Sequence, residues 1–246
     1  MDILILTGGY GRHLGALTAL YPKAMLRFCG KSLLSHTLAS ISETSKKAQK
    51  IFVATGYRSE TVECFVKREV ETYSIKTPVV VLLPEKQLTG TFGSTVWGLK
   101  TAGINGDCLV TGVDVIVTET AISDFLVSAQ EKQATVFLIS SLLSVAPTHG
   151  MIRLREDGQI AEYRKSSAFS TIKPGSGWYS DVGIRYLSTS FINECRHLTL
   201  CDPCDFDDIM PNLVHRGFVF KTQVLRERWL HFGVSKDFGQ EPLATM

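Results

Sequence analysis

A glycine-rich loop directly follows the first apolar segment of the chain. The residues Thr7-Gly8-Gly9-Tyr10-Gly11-Arg12 come immediately after Ile3-Leu4-Ile5-Leu6, a continuous apolar run typical of a strand buried on both faces. Glycines allow backbone N–H groups to approach a phosphate closely because no Cβ stands in the way. Arg12 adds a positive charge at the same place. The composition of the loop therefore predicts that it binds a ligand phosphate.

Two common phosphate-binding patterns do not fit this loop. In the dinucleotide-binding pattern G-x-G-x-x-G, Gly9 and Gly11 supply the first two glycines, but Leu14 stands where the third is required. The end of the second predicted strand, Thr55-Gly56-Tyr57, lacks the acidic residue that would bind a ribose. No Gly-Lys-Ser/Thr stands at P-loop spacing. These differences disfavour both an NAD-binding protein and a P-loop enzyme.

The elements around the loop alternate between strand and helix in the first part of the chain. Apolar runs predict strands over 3–6, 51–54, 78–83, 108–111 and 134–140. Helical spacing of apolar residues predicts helices over 31–41, 59–70, 92–99 and 120–130. This alternation indicates βαβ crossovers and a mainly parallel sheet. Such a sheet binds its ligand at the carboxyl ends of the strands, which is where the glycine loop lies.

The pattern changes after about residue 145. Short strand-like runs (151–154, 160–164 and 183–187) are separated by glycine-rich turns, which favours an antiparallel or mixed arrangement. No repeat or low-complexity linker divides the chain, so we expect one domain over residues 1–246. The predicted fold class is a Rossmann-like, doubly wound α/β fold with a mixed, mainly parallel sheet and a small antiparallel lobe.

Several motifs in fixed order resemble one enzyme family. The stretch from Leu6 to Leu34 resembles the N-terminal signature of the sugar-1-phosphate nucleotidylyltransferases, which runs L-A-A-G-x-G-T-R-L-x-P-L-T, then P-K-x-M-L, then G-K-P-L-L. Here the second and third parts are Pro22-Lys23-Ala24-Met25-Leu26 and Gly30-Lys31-Ser32-Leu33-Leu34. Later segments resemble further family motifs in the same order: Gly90–Ser94, Val110–Asp114, His149–Met151, Asp181–Ile184, Phe206–Pro211 and Trp229–Gly233.

The resemblance implies a reaction and a set of roles. A sugar-1-phosphate oxygen attacks the α-phosphorus of an NTP, and pyrophosphate leaves. No general base is needed, because a phosphate monoester with a second pKa of about 6 is already an anion. The implied catalytic residues are Arg12, Lys23 and Asp114. The implied nucleotide-binding residues are Thr7, Gly8, Gly9, Gly11, Gly90 and Thr91. The implied sugar-phosphate-binding residues are Gly150, Lys165 and Asp181.

The same resemblance implies a metal cofactor and separate nucleotide-binding and sugar-phosphate-binding parts of the chain. Asp114 is the expected ligand of Mg²⁺, with Mn²⁺ as an alternative. We expect residues 1–145 to be mainly nucleotide-binding and residues 146–246 to form mainly the sugar-phosphate lobe. Eight residues follow Phe238, so the chain is expected to be the catalytic core without the C-terminal β-helix of longer relatives.

The chain departs from the family pattern at functional positions. His13 stands where the family has its signature arginine, with Arg12 in place of a threonine. Arg164 replaces a glutamate before the predicted sugar-phosphate lysine. His231 replaces an aspartate of the metal site, and a neutral imidazole suits transition metals better than Mg²⁺.

These departures leave other functions open. One is a cytidylyltransferase for a non-sugar phospho or phosphonate substrate. Another is a non-catalytic relative that binds a nucleotide sugar and regulates a partner. Retention of Lys23, Asp114 and Lys165 favours activity, because a purely structural protein has no need for charges that converge on phosphates. The glycine segment at 90–94 favours guanylyl-type enzymes slightly over uridylyl ones.

Charge and hydropathy exclude other classes. The 246 residues carry 26 basic and 24 acidic side chains, a net charge of +2, so no basic face for nucleic acid is expected. No apolar run approaches the roughly 20 residues that span a bilayer, and the N-terminus does not resemble a signal peptide. We therefore expect a cytoplasmic protein that acts on an NTP and a sugar-1-phosphate, with a homo-oligomer as one possibility.

The cysteines allow two interpretations. Cys29, Cys64, Cys108 and Cys195 are predicted to be buried thiols of a reducing compartment. The four side chains of Cys195, His197, Cys201 and Cys204 have the chemistry of a zinc site, although their spacing matches no common zinc finger. Ordinary thiols are the favoured interpretation of this segment as well.

Overall fold

The computed structural model describes residues 1–73, 75–82, 90–141, 150–165, 176–198 and 203–243. The strands, in chain order, are β1 (Asp2–Leu6), β2 (Arg27–Phe28), β3 (Lys31–Ser32), β4 (Ile51–Ala54), β5 (Val79–Leu82), β6 (Cys108–Gly112), β7 (Val115–Ile116), β8 (Val136–Ser140), β9 (Gly150–Leu154), β10 (Ile160–Lys165), β11 (Trp178–Leu187), β12 (Lys221–Leu225) and β13 (Leu230–His231). The helices are α1 (Ala16–Leu20), α2 (Leu33–Ser40), α3 (Ser42–Ser45), α4 (Ser59–Thr72), α5 (Gly90–Ala102), α6 (Glu119–Lys132), α7 (Thr189–Cys195) and α8 (Phe206–His215).

Within the described residues, nine strands form one mixed sheet. Seven of them follow the order β10-β9-β11-β6-β1-β4-β5, and β8 pairs with both β11 and β12. Strand β1 is parallel to both neighbours, with Ile3 opposite Ile51 on one side and Leu109 on the other. Strand β11 is antiparallel to β6, β8 and β9. The expected α/β fold with a mixed sheet is therefore confirmed, and the antiparallel strands continue the main sheet.

The central strands are buried on both faces, which explains their unbroken apolar runs. Side chains of β1 alternate between two cores. Ile3 and Ile5 face the core that contains α2, α4 and α6, whereas Leu4 faces the core that contains α5 and α8. Gly98 of α5 lies against Leu4, where a Cβ would come within 3.0 Å of the leucine side chain. The helix thus approaches the sheet closely.

The helix predicted over 31–41 is present as α2, but its first two predicted residues belong to a short hairpin. Strands β2 and β3 pair through Arg27 and Ser32, and α2 begins only at Leu33. The Ser32 hydroxyl accepts a hydrogen bond from the Ser35 backbone N–H at 2.9 Å, which fixes the start of the helix. The prediction was wrong here because the strand pairing competes with the helical pattern.

Two of the cysteines predicted to be buried are exposed. Cys29 lies in the two-residue turn between β2 and β3, where its φ of 48° directs the side chain out of the hairpin. Cys64 lies on the outer face of α4. Cys108 and Cys195 are buried as predicted. None of the helices within the described ranges is long and apolar enough to cross a bilayer.

The Asp107 carboxylate joins β6 to the end of β11 and the start of α7. It accepts hydrogen bonds from the Tyr186 hydroxyl at 2.5 Å and from the Thr189 backbone N–H and hydroxyl at 2.7 Å each. Desolvation raises the pKa of Asp107, but these hydrogen bonds outweigh that effect and lower the pKa below its ordinary value.

We therefore expect Asp107→Asn to destabilise the protein by about 1–3 kcal/mol near pH 7. Because the folded-state pKa is lowered, the stabilisation by the carboxylate is present above about pH 4 and is lost as the pH falls. Urea unfolding between pH 3 and 7 measures the difference. The exposed Asp124→Asn serves as the control and should change little. The free energy of unfolding of Asp107→Asn should approach that of the original protein as the pH falls. A difference between the two that stays the same at low pH would contradict this role of the carboxylate.

Candidate active site

The glycine loop leaves the end of β1 and turns at Gly11 in a backbone conformation that favours glycine. Gly11 has a φ of +62°, and a Cβ there would lie 2.9 Å from the Thr18 side chain. The Thr18 hydroxyl donates to the Gly11 carbonyl at 3.1 Å and holds the far end of the loop. At its near end, the buried Thr7 hydroxyl donates to the Ala54 carbonyl at 2.8 Å. The loop is thus held at both ends, and Gly9 between them is exposed.

A second glycine, which sequence reasoning did not assign, makes room for this loop. The segment after β4 passes so close to Gly8 that a Cβ on Gly56 would lie 2.7 Å from the Gly8 carbonyl oxygen. The Tyr57 backbone N–H donates to that oxygen at 3.1 Å. The sequence signal was the Thr55-Gly56-Tyr57 segment at the end of a parallel strand, where ligand-binding loops converge.

Arg12 lies beside a pair of aromatic rings near the loop. The Tyr10 and Tyr57 rings are 4.7 Å apart, and the Arg12 guanidinium lies 5.8 Å from the centre of the Tyr10 ring. A cleft of about 440 Å³ is lined by Tyr10, Arg12, Gly15, Thr18, Ala19 and Tyr57. Arg12 and His13 are both exposed. The arginine charge thus faces open space beside the loop.

Lys23 and Asp114, which lie 91 positions apart in the sequence, form an ion pair. The Lys23 Nζ donates to the Asp114 Oδ2 at 2.8 Å, and their side chains are 13% and 34% exposed. Lys23 begins a short helical turn after Pro22, and Asp114 follows β6. Gly112 permits this position of the carboxylate, because a Cβ there would lie 2.5 Å from the Asp114 Oδ1. The fold thus brings together two of the three predicted catalytic side chains.

His231 faces the same carboxylate from the other side. Its Nε2 lies 3.8 Å from the Asp114 Oδ2, and the side chain is 11% exposed. Desolvation raises the pKa of Asp114, but the ammonium of Lys23, the neighbouring His231 and the hydrogen bond from Lys23 outweigh it and hold the pKa well below its ordinary value. A carboxylate and an imidazole that face each other are potential cation ligands, and the carboxylate oxygen suits Mg²⁺.

A second group of residues surrounds the first turn of α8. Asp205 accepts hydrogen bonds from the Thr91 backbone N–H at 2.7 Å and from the Thr91 hydroxyl at 3.0 Å. The next two amides of α5, at Phe92 and Gly93, donate to the Cys204 carbonyl. Gly90 has a φ of +76°, and a Cβ there would lie 2.6 Å from Cys204. The predicted nucleotide-binding pair Gly90 and Thr91 is therefore packed against the start of α8.

Asp208 on the same turn holds the predicted sugar-phosphate lysine. The Lys165 Nζ lies 2.7 Å from the Asp208 Oδ1, and the lysine side chain is 47% exposed. The other oxygen of Asp208 accepts the Asp205 backbone N–H at 3.0 Å and so caps the helix. The hydrogen bond from Lys165 lowers the pKa of Asp208 despite partial desolvation, which raises it. Lys165 is thus held at the end of β10 with its ammonium partly open to solvent.

Tyr163 connects this turn to the buried Asp181. The Tyr163 hydroxyl lies 2.7 Å from the Asp181 Oδ2 and 3.1 Å from the Asp207 Oδ1. Burial, together with the neighbouring charge of Asp181, raises the pKa of Asp207 to about 6. A Cβ on Gly150 would overlap the Tyr163 hydroxyl at 2.0 Å. The predicted sugar-side residues Gly150 and Asp181 both pack on Tyr163, which sequence reasoning did not single out.

Arg185 neutralises Asp181 inside the protein. The two side chains form a buried ion pair, and the Gly183 backbone N–H also donates to Asp181 at 2.8 Å. The Arg185 guanidinium lies 3.7 Å from the centre of the Phe206 ring of α8. Asp181 is only 3% exposed, so its carboxylate lies beneath the surface of the site. Its role in sugar binding stays a prediction.

The possible zinc ligands are not gathered within the described part of the chain. Cys195 and Cys204 are buried in the core beside α8, and burial raises the pKa of the Cys195 thiol to about 12. No group of three His, Cys, Asp or Glu side chains suited to a metal occurs among the described residues. Cys201 lies outside them, as does His149 of the proposed family motif.

The buried ion pair generates a stability prediction. We expect Arg185→Met to destabilise the protein by about 3–5 kcal/mol, because the methionine keeps much of the packing but leaves the Asp181 charge buried without its cation. Arg153→Met is a matched control, since Arg153 also pairs with a carboxylate and lies over an aromatic ring but is 55% exposed. That change should cost less than about 1 kcal/mol. Urea titrations measure the free energy of unfolding of both variants. Equal losses for Arg185→Met and Arg153→Met would contradict the conclusion that Arg185 neutralises a buried charge.

Comparisons with known proteins agree with this geometry. A zebrafish (Danio rerio) mannose-1-phosphate guanylyltransferase catalytic subunit beta is 23% identical over 240 residues, which cover 97% of this chain and 62% of that protein. The chain thus spans somewhat less than two thirds of the length of this relative.

Solved structures share the fold. The inositol-1-phosphate CTP transferase from T. maritima superposes with a TM-score of 0.73 at 16% identity, covering 96% of this chain and 90% of that chain. A UDP-glucose pyrophosphorylase complexed with UDP-glucose gives a TM-score of 0.74 at 14% identity, covering 96% and 95%. The nucleotidyl transferase family model matches residues 3–238. The resemblance inferred from the motifs is therefore confirmed, and this chain belongs to the nucleotidyl transferase family.

Proposed function

We propose that this protein joins an NTP to a sugar-1-phosphate to give a nucleotide sugar and pyrophosphate. The observation that carries the proposal is the Lys23–Asp114 ion pair, which lies beside the glycine loop at the carboxyl edge of the parallel strands. A phosphate oxygen of the sugar-1-phosphate forms a bond to the α-phosphorus of the NTP. The bond from that phosphorus to the bridging oxygen breaks, and pyrophosphate leaves with the electron pair.

Positioning and charge neutralisation account for catalysis in this scheme. Both substrates are anions, so their approach is repulsive until positive groups offset their charges. The loop from Gly8 to Gly11 binds the triphosphate through backbone N–H groups. Thr7 fixes the start of this loop, because its backbone N–H and its hydroxyl both donate to the Ala54 carbonyl. Lys23 moves its ammonium from Asp114 to the reacting phosphates, and Arg12 neutralises the departing pyrophosphate. The partly exposed Lys165 binds the sugar phosphate.

The residues at the base and sugar sides support these contacts. Because Asp205 already binds the backbone N–H and hydroxyl of Thr91, we assign Thr91 to shaping the nucleotide site and leave direct contact to the backbone of Gly90. Gly150 makes room for Tyr163, which joins Asp181 to α8. We assign these residues to shaping the sugar side.

The donor set at Asp114 fits a divalent cation. Mg²⁺ is commonly bound by one or two carboxylates together with substrate phosphates, and Asp114 provides such an oxygen. When bound, such an ion would supply positive charge that offsets the charge of the phosphates in the displacement. Asp114 is the residue that would hold it, and Lys23 offsets the negative charge of the Asp114 carboxylate.

A catalytically silent nucleotide-binding protein is the second candidate. It is favoured by His13, Arg164 and His231, which stand where the family pattern has other chemistry. The identity of the phosphorylated acceptor is a separate question. The names of two related proteins described above give mannose-1-phosphate and inositol-1-phosphate as acceptors. A cytidylyltransferase with a non-sugar acceptor therefore belongs in the same test.

Pyrophosphate release tests the proposal directly. Each of the four NTPs is combined with mannose-1-phosphate, glucose-1-phosphate, inositol-1-phosphate and phosphocholine, with Mg²⁺ or Mn²⁺ present. We expect one base and one acceptor to dominate, and Asp114→Asn to abolish metal-dependent turnover without a change in fold. Glu63→Gln, which alters an exposed carboxylate on α4, is the matched control. Nucleotide-dependent thermal stabilisation without turnover of any pair would favour the silent binding protein.

Lys23→Ala tests the phosphate contact separately. We expect turnover to fall by a factor of about 10²–10³, the usual loss for one electrostatic stabiliser of a transition state. Lys67→Ala is the control, because Lys67 also binds a carboxylate but is 70% exposed on α4. Equal activity of the two variants in steady-state assays would exclude Lys23 from the reaction.

A further inference from the structure

Helix α1 forms one side of the cleft beside the glycine loop, yet little apolar packing holds it there. It has only 5 residues, which is too short for a helix to be stable in water without outside contacts. Thr18 is its one buried residue, and Leu17 and Leu20 are 42% and 68% exposed. The position of α1 therefore depends on polar contacts.

Arg58 supplies such contacts from the segment after β4. Its Nη2 donates to the Ala19 carbonyl at 3.1 Å, and its Nη1 donates to the Leu20 carbonyl. Its Nε donates to the Tyr57 hydroxyl at 3.0 Å, and that hydroxyl donates to the Ala19 carbonyl at 3.4 Å. The last carbonyl groups of a helix lack partners within the helix, and arginine is a suitable donor to them. One guanidinium thus fixes the end of α1.

The backbone of Arg58 has an uncommon conformation. Its φ of +54° and ψ of 44° lie in the left-handed region, which is unfavourable for a long side chain and which asparagine and glycine adopt more easily. Residues in such conformations are fixed by the surrounding structure and are concentrated at functional sites. The contacts of the guanidinium with α1 account for an arginine at this position.

Helix α1 in turn holds the glycine loop. The Thr18 hydroxyl lies 3.1 Å from the Gly11 carbonyl oxygen and 3.2 Å from the Gly15 carbonyl oxygen. The Thr18 backbone N–H also donates to the Gly15 carbonyl, and the Leu14 backbone N–H donates to the Gly11 carbonyl at 2.8 Å. A displacement of α1 therefore displaces the end of the loop at Gly11.

Lys23 is fixed by other contacts. It forms the ion pair with Asp114, and the short turn that it begins is closed by the Leu26 backbone N–H, which donates to the Lys23 carbonyl at 3.1 Å. Loss of the Arg58 contacts is therefore expected to change nucleotide binding more than the chemical step.

We propose that Arg58 is a positioning residue for the nucleotide: it binds the end of α1 and so holds the glycine loop in the form that accepts a triphosphate. Without these contacts the loop adopts other forms as well, and the affinity for a triphosphate falls in proportion to the population of the competent form. The inference deepens the proposed function, on which its effect on catalysis rests. Its effects on the loop and on nucleotide binding do not require turnover.

Arg58→Asn tests the role of the side chain in the full chain. Asparagine adopts the left-handed conformation and can begin a helix, but it is too short to reach α1. We expect a melting temperature no lower than that of the original chain, because backbone strain is relieved as exposed hydrogen bonds are lost. Hydrogen exchange followed by mass spectrometry should show about tenfold faster exchange of residues 9–21 and unchanged exchange of α4.

Nucleotide binding gives a second measurement. Each of the four NTPs is titrated with Mg²⁺ into the protein in a calorimeter, without acceptor. We expect Arg58→Asn to raise the dissociation constant of the NTP that binds by about tenfold. Arg68→Gln is the control and should leave it unchanged, because it removes a positive charge from the same region at a side chain that is 63% exposed on α4.

Steady-state kinetics separate positioning from a purely structural role. In the pyrophosphate-release assay, we expect Arg58→Asn to raise the KM for the NTP by about tenfold and to change kcat by less than about threefold. An arginine that only stabilises the fold would lower the melting temperature without this separation of KM from kcat.

Tyr57→Phe is a second, milder variant. It keeps the ring that lies 4.7 Å from the Tyr10 ring and removes the hydroxyl between Arg58 and Ala19. We expect the affinity for the NTP to fall by about two- to threefold. In the Arg58→Asn background the same change should have little further effect, because both changes remove one set of contacts.

Three results would overturn the proposal: unchanged exchange of residues 9–21 in Arg58→Asn, equal NTP affinity of Arg58→Asn and the original chain, or no binding of any NTP by the original chain. If turnover is found and the KM for the NTP is the same in both proteins, the proposed function stands and this inference fails. If NTP binding weakens as expected but no acceptor is converted, the positioning role stands and the proposed function fails.

Discussion

The ion pair between Lys23 and Asp114 is the interaction on which the arrangement of the candidate site depends. Lys23 begins a short helical turn and Asp114 lies in the turn between β6 and β7, so the pair joins two segments that are 91 positions apart in the sequence. Asp114 can take part because Gly112 leaves space for its carboxylate and because Phe232 binds its backbone. An isolated carboxylate or ammonium at this depth would be costly. Together they keep two opposite charges ready where anionic substrates are expected to meet.

The first turn of α8 performs a comparable task on the other side. Asp205, Asp207 and Asp208 are close neighbours in the sequence, yet they contact three different residues: Thr91, Tyr163 and Lys165. Carboxylates are favourable at a helix N-terminus because of the helix dipole and the free N–H groups there. The same carboxylates that stabilise the start of the helix therefore also connect it to the start of α5 and to strand β10.

Much of the fold was predictable because its signals are local. Apolar runs identified the parallel strands, and the Pro22-Lys23 and Gly112-Val113-Asp114 segments pointed to the residues that form the central ion pair. The contacts of α8 were not predictable, because a hydrogen bond such as Tyr163 to Asp207 joins residues that share no spacing rule. Exposure of Cys29 also escaped prediction, since it depends on the pairing of two very short strands. Long-range pairing and turn geometry, rather than propensity, decided these cases.

The position of β11 has a consequence for how the chain reaches this structure. Strand β6 lies in the middle of the finished sheet, yet one of its edges is covered only when Ile184 pairs with Thr111. If β1, β4, β5 and β6 pair before that part of the chain is available, the parallel sheet that they form has an apolar, unpaired edge at β6. Such edges associate readily with other chains, and non-local pairing is slow. Protection of this edge during translation is therefore part of what the fold requires.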